Sequence, residues 1–175
     1  MFDYIKFEND IVLHMENSLK KWMSEYDDIY ILSLDCSNDM YSIGTIANTN
    51  SHLNEQEDSS PEDYWYYKYC EEEWDLWDSS DKDLRIASNK ISLYMREYIE
   101  KIDGDEFVNH REKIIETCKK ALICLKQSIN KTYPNLLLTF NIREYLDENE
   151  RIEIFEMLNT KEAAKEYSEH IEDFC

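Results

Sequence analysis

The chain has 175 residues and carries 39 acids against 19 Lys and Arg, a formal charge of −20. A hydrophobic fraction of 42%, with 13% aromatics, suits one globular domain and argues against disorder. Two glycines, Gly44 and Gly104, leave no room for a glycine-rich phosphate loop, and so negative a field repels nucleic acid and anionic membrane.

Ile5, Val12, Met15, Leu19 and Trp22 recur at helical spacing and predict an amphipathic helix from about residue 5 to 25. After Asp27-Asp28, the run Ile29 to Leu34 puts apolar groups on both faces, as in a central strand. Ser37-Asn38-Asp39 is turn chemistry, and Tyr41, Ile43 and Thr45 alternate along a second strand that ends near Asn48. The two strands predict a hairpin. Residues 50–63 are polar and read as a loop. Tyr64 to Tyr69 reads as a third, aromatic strand. Glu71-Glu72-Glu73 suits the first turn of a helix, where the dipole favours acids, and would place Trp74 and Trp77 on one face.

Two strong helices follow. Leu84, Ala87, Ile91, Tyr94, Tyr98 and Ile102 form one stripe, with Gly104 as the expected stop. Asp105 can cap the next, whose stripe is Ile114, Cys118, Ala121, Leu125 and Ile129. Pro134 breaks the chain before a buried strand, Leu136 to Phe140. An acidic loop comes next, and Asn159 to Glu162 reads as a capping box for a last helix. The order predicts an α+β domain: a small, mainly antiparallel sheet of about four strands, with helices packed on one face.

Charge concentrates between Glu55 and Asp83, where twelve acids meet two bases and three of the four Trp residues lie. Acids ask for solvent and aromatics for burial or a partner, so a stretch rich in both reads as a binding surface. Glu71, Glu72, Glu73, Asp75 and Asp78 are expected on the partner-facing side, with Trp77 as a candidate anchor. Trp22 and Trp74 are expected in the core.

Catalytic constellations are weak. Glu106 and His110 are four apart, as are Glu166 and His170, but di-iron motifs use spacing three and there is no HExxH. Cys70 beside three Glu is a poor nucleophile. An odd set of five cysteines without CxxC suits reduced thiols, Cys175 being the one expected to be exposed. No cofactor or metal is expected. No apolar run approaches the ~20 residues of a membrane span, and the N-terminus lacks a signal-peptide layout. A cytoplasmic chain is expected.

Several landmarks resemble a bacterial domain-of-unknown-function family, DUF 4303. They are the early helix, the strand pair IYILSLDCSNDMYSIGTIANT, the stretch KYCEEEWDLW, the long helix before LLLTFNI, and the closing LNTKEAAKEY. The most specific pieces are Ala47-Asn48-Thr49, Glu73-Trp74 and Leu158-Asn159, and the resemblance runs from about Phe7 to Tyr167. It implies a stand-alone intracellular bacterial domain with no established activity. Proteins resembling this family occur beside genes for secreted toxins, where immunity proteins are found. The expected function is therefore a non-enzymatic binding protein that neutralises a basic, nuclease-like toxin domain. The alternative is a small enzyme or ligand-binding domain with a pocket at the sheet edge near Asn48.

Overall fold

The computed structural model describes residues 1–142 and 144–174, and of residues 57–59 and 61 only the backbone. Cys175, expected to be exposed, lies outside the described residues.

Helix α1 (Tyr4–Met23) starts where the Asp3 side chain accepts the Lys6 N–H at 3.0 Å. Of its predicted stripe, Met15, Leu19 and Trp22 are buried, joined by Phe7 and Ile11, whereas Ile5 is exposed and Val12 half-buried. Strand β1 (Ile29–Cys36) pairs antiparallel with β2 (Ile43–Thr49). Ser37 closes the turn between them: its hydroxyl accepts the Tyr41 and Ser42 N–H groups. Met40 sits there at φ +59°, left-handed backbone that a Met adopts only under constraint; its side chain is fully buried in the core. Strand β3 (Leu76–Trp77) pairs antiparallel with β2, and β4 (Leu137–Ile142) pairs parallel with β1. The order β3-β2-β1-β4 makes a mixed sheet, mainly antiparallel with one parallel pair.

The central strand is apolar on both faces because both faces are covered. Leu32, Leu34 and Cys36 join Ile43, Ala47, Leu138, Phe140 and Ile142 on one side, beneath α1 and two further helices. Ile31 and Ile46 point the other way. There they meet Tyr69, Trp74, Phe155, Tyr167 and Phe174. Five rings, each removing roughly 150–250 Å² from water, let few residues close this second layer. Helices therefore pack on both faces, not one. The expectation of a single helical layer missed a cover made of scattered aromatics without helical period.

Several helices differ from the sequence reading. Residues expected as a loop form α2 (Asn50–Ser59), capped by the Thr49 hydroxyl on the His52 N–H. Among its described side chains only Leu53 is buried, so there was no stripe to read. The aromatic run expected as a strand is α3 (Tyr64–Tyr69). One helical turn brings Trp65 and Tyr69 to the same side, where their rings stack 6.3 Å apart. Helix α4 (Lys82–Ile99) begins at a cap from Asp81, which accepts the Asp83 and Leu84 N–H groups. Helix α5 (Gly104–Ile129) starts at Gly104, with φ +47°. That glycine opens a helix and does not end one, and Asp103, not Asp105, is the cap position. The acidic loop is α6 (Glu148–Leu158), with a capping box between Asp147 and Glu150. Helix α7 (Lys161–Glu169) is capped by Thr160.

Asn159, expected as a cap, reaches the sheet. Its amide nitrogen donates to the Leu138 carbonyl at 2.7 Å and to that of Phe155 at 2.9 Å. Its amide oxygen accepts the Leu138 N–H at 2.9 Å. The carboxamide thus pairs with β4 as a neighbouring peptide would. Asn159→Ala leaves both backbone groups of the buried Leu138 without these partners, and should cost about 2–3 kcal/mol in urea unfolding.

His110 of α5 sits among Phe2, Tyr4 and Tyr98, and shares a 2.7 Å hydrogen bond with the Tyr4 hydroxyl. Burial, with Lys113 adding, pushes its pKa down from 6.5 to about 4. The folded state therefore resists a proton that the unfolded chain accepts below pH 6.5. The contribution is intact above pH 6.5 and is lost as pH falls through 4. Unfolding curves from pH 7 to 4 should show the wild type losing up to ~3 kcal/mol more than His110→Phe.

Candidate functional site

The acidic-aromatic segment is a strap across the end of the sheet. Glu71–Glu73 makes a short 3-10 turn, Trp74 is extended at φ −82°, ψ 151°, and Leu76 and Trp77 form β3. A second 3-10 turn, Asp78–Ser80, leads to the cap of α4. Leu76 joins the large core while Trp77 packs against the small one, so neighbouring side chains face opposite sides, as a strand requires and a helix would not give. Trp74 and Trp77 accordingly share no helix face. Trp74 is core, as is Trp22. Trp77 is half-buried, its indole N–H donating to the Trp74 carbonyl at 2.7 Å.

The acids of the strap divide, and two of them are not on the surface. Glu71 is 4% exposed; its carboxylate lies 3.4 Å from both the Arg151 guanidinium and the Asn141 amide. Asp78 is also 4% exposed. It accepts the Thr45 N–H at 2.8 Å and meets His14 Nε2 at 2.8 Å. Gly44 makes the space: a Cβ there would stand 3.2 and 3.3 Å from the two Asp78 oxygens. Both residues, expected to face a partner, are instead tied inward, because each finds a cation or imidazole on the packed side. Sequence alone could not reveal that, since Arg151 and His14 lie 80 and 64 positions away.

Glu73 is half-buried, accepting from the Tyr66 hydroxyl at 2.9 Å, while its carbonyl meets His52 Nε2 at 3.0 Å. The Tyr66 hydroxyl is raised well above its usual range, chiefly by that bond to Glu73. Burial raises the Cys70 thiol, with Glu71 and Glu72 adding to it, which disfavours a thiolate nucleophile.

Glu72 and Asp75 remain exposed. The Asp75 carboxyl is pushed up, first by partial burial and then by the like charges of Asp28 and Glu55, against the pull of His52. Beside it lies a shallow groove of about 210 Å³, walled by Glu25, Tyr26, Asp75, Trp77 and Asp81 with Lys21 at the rim. Acids and two aromatic rings share this surface at the outer strand.

The other candidates are taken up by structure. Glu166 accepts from Lys68 and Tyr69, and His170 stacks on Trp65 at 3.8 Å. Among the described residues, no group of three or more His, Cys, Asp or Glu side chains is arranged to hold a metal ion. Asn48 is fully buried, its amide donating to the Tyr30 hydroxyl at 3.2 Å, so it lines no open sheet edge.

A family model described as a domain of unknown function, DUF4303, matches residues 12–160. The chain belongs to the DUF4303 family. No curated protein matches it, and no solved structure does. The match covers the sheet and most of the first layer of helices. Within this DUF4303 domain, the residues that carry the resemblance support the fold. Thr49 caps α2, Asn48 holds Tyr30, Trp74 is buried, and Leu158 and Asn159 secure β4. These five lie off the exposed acidic surface, whereas the KYCEEEWDLW stretch also brings Glu72, Asp75 and Trp77 onto it. Among the described residues, no helix is long and apolar enough to cross a membrane.

The division of the strap is measurable by single substitutions. Asp78→Ala leaves His14 and Thr45 without their shared acceptor and should cost about 3–5 kcal/mol. Asp75→Ala should stay within about 0.5 kcal/mol of wild type. Thermal or urea unfolding of the pair checks both.

Proposed function

We propose that the DUF4303 domain is a cytoplasmic, non-enzymatic binding protein that docks a basic protein domain on its exposed acidic-aromatic surface. The observation that carries this reading is the grouping of Asp75 with Asp28 and Glu55 beside the Trp77–Tyr26 groove. Two like charges close to Asp75 raise the cost of its own ionisation, and an incoming Lys or Arg relieves that cost. Half-buried Trp77 and partly exposed Tyr26 offer amphipathic anchors of the kind that dominate interface energetics. The formal charge of −20 adds long-range steering toward a cationic partner.

A toxin domain, nuclease-like in its basic surface, is the partner we assign. Its identity as a toxin rests on the resemblance to a family found beside toxin genes; the electrostatics alone ask only for a basic protein. Glu71 and Asp78 take no part in docking. Their role is to hold the strap that presents Glu72, Asp75 and Trp77.

Affinity capture from the native bacterium, followed by mass spectrometry, identifies the partner. Glu55→Lys, Glu72→Lys and Asp75→Lys combined should then lower its association rate at least tenfold while the melting temperature changes little. The rate for the wild type should fall steeply with salt, because screening shortens the field to about 8 Å at physiological strength. An association rate unchanged by the triple reversal, or indifferent to salt, removes the acidic surface from the contact.

A further inference from the structure

Helix α4 has two apolar stripes. Leu84, Ile91, Met95 and Ile99 are buried against the rest of the fold. On the roughly opposite side Ile86 and Leu93, two turns apart, are 45% and 52% exposed. Packing on the sheet asks for one stripe only, and the first supplies it. Exposed apolar residues are ordinary when they stand singly. These two instead share one exposed ridge with Lys82, Asn89, Lys90 and Glu97.

The ridge reads alike from either end. Its midpoint falls between Asn89 and Lys90. Ile86 and Leu93 lie at equal distances on the two sides of that point, and so do Lys82 and Glu97, a base and an acid. Neither Lys82 nor Glu97 has an ion pair among the described residues. A two-fold contact needs this pattern, because one patch must be complementary to itself. Local charge agrees. Helix α4 carries four bases against two acids, within a chain of −20. Beside the ridge, across the groove lined by Lys90 and Ile91, stands Leu13 of α1, 58% exposed.

We propose that α4 packs against α4 of a second copy, antiparallel about a two-fold axis through that midpoint. Ile86 of each chain then meets Leu93 of the other, and Lys82 meets Glu97, each contact being made twice. The two Lys90 ammonium groups come near the axis, where Asp10 lines the same groove and supplies a carboxylate. Helix α4 is about 27 Å long, so one helix pair with Leu13 at its flank falls below the ~1,200 Å² of a standard interface. The dimer is accordingly weak. At physiological salt the field of each chain is screened beyond ~8 Å, which limits the repulsion between copies. The ridge contains none of the residues assigned above to docking a basic partner.

Sedimentation equilibrium of the full-length chain, from about 5 to 500 µM at physiological salt, is the test. The wild type should pass from monomer to dimer within this range. Leu93→Glu, at an exposed position, should raise the dissociation constant at least tenfold while circular dichroism shows an unchanged fold. Lys82→Glu sets acid against acid, and Glu97→Lys sets base against base, so each should weaken the dimer about fivefold. Both changes suit the helix dipole, so neither should lower the melting temperature. An equimolar mixture of these two variants should recover wild-type association, because both end contacts are again opposite in sign. A chain that stays monomeric at the highest concentration overturns the proposal. So does a dimer indifferent to Leu93→Glu, or a mixture that associates no better than its separate components.

Discussion

A single carboxylate, that of Asp78, joins three parts of the chain that sequence keeps apart. It receives an imidazole from α1 and a backbone N–H from β2, at the point where the strap leaves the sheet. Burying an ion costs several kcal/mol, repaid only when its lone pairs are occupied in good geometry. Gly44 is the condition for that geometry, because any side chain there would press on the two oxygens. Three residues later Asp81 caps α4, so the position of Asp78 also fixes where the long helix begins. His14, which lines the groove between α1 and α4, and the strap that carries the acidic surface both depend on this one group. A change at Asp78 would therefore be felt in both, whereas either surface can be altered by itself.

Periodic elements are legible in the residues, and irregular ones are not. The C-terminal half of the α1 stripe, both strands of the hairpin, and the stripe of α5 lie where spacing puts them, because each buries a continuous face. Helices α2 and α6 are hidden by their polarity. The Asp147-Glu150 capping box is in the sequence all the same, ahead of Ile154 and Phe155. The aromatic run of α3 misleads for a different reason: Tyr and Trp favour pleated surfaces as single residues, but Trp65 and Tyr69 pack as neighbours on a helical turn. Gly104 does occupy a special backbone position, as a rare glycine suggests, yet it starts its helix.

The acidic segment shows most sharply what composition cannot resolve. Five acids in eight residues look equivalent on paper. Their fates depend on partners far away in the chain, Arg151 for Glu71 and His14 for Asp78. Exposed Glu72 and Asp75 keep the expected chemistry of a docking face; the buried pair spends its charge on holding the strap in place. The same residue type thus serves architecture and recognition within a few ångströms of chain.

Asn159 has a further consequence for how these molecules meet one another. By occupying the pairing position at Leu138, its carboxamide, with α6 packed alongside, closes the β4 margin of the sheet to any incoming strand. The opposite margin is β3, only two residues long. Runaway strand-to-strand stacking needs two free margins on every copy, one to receive and one to give. With one of them sealed from within, copies that met through β3 would face each other about a two-fold axis and growth would stop at a pair.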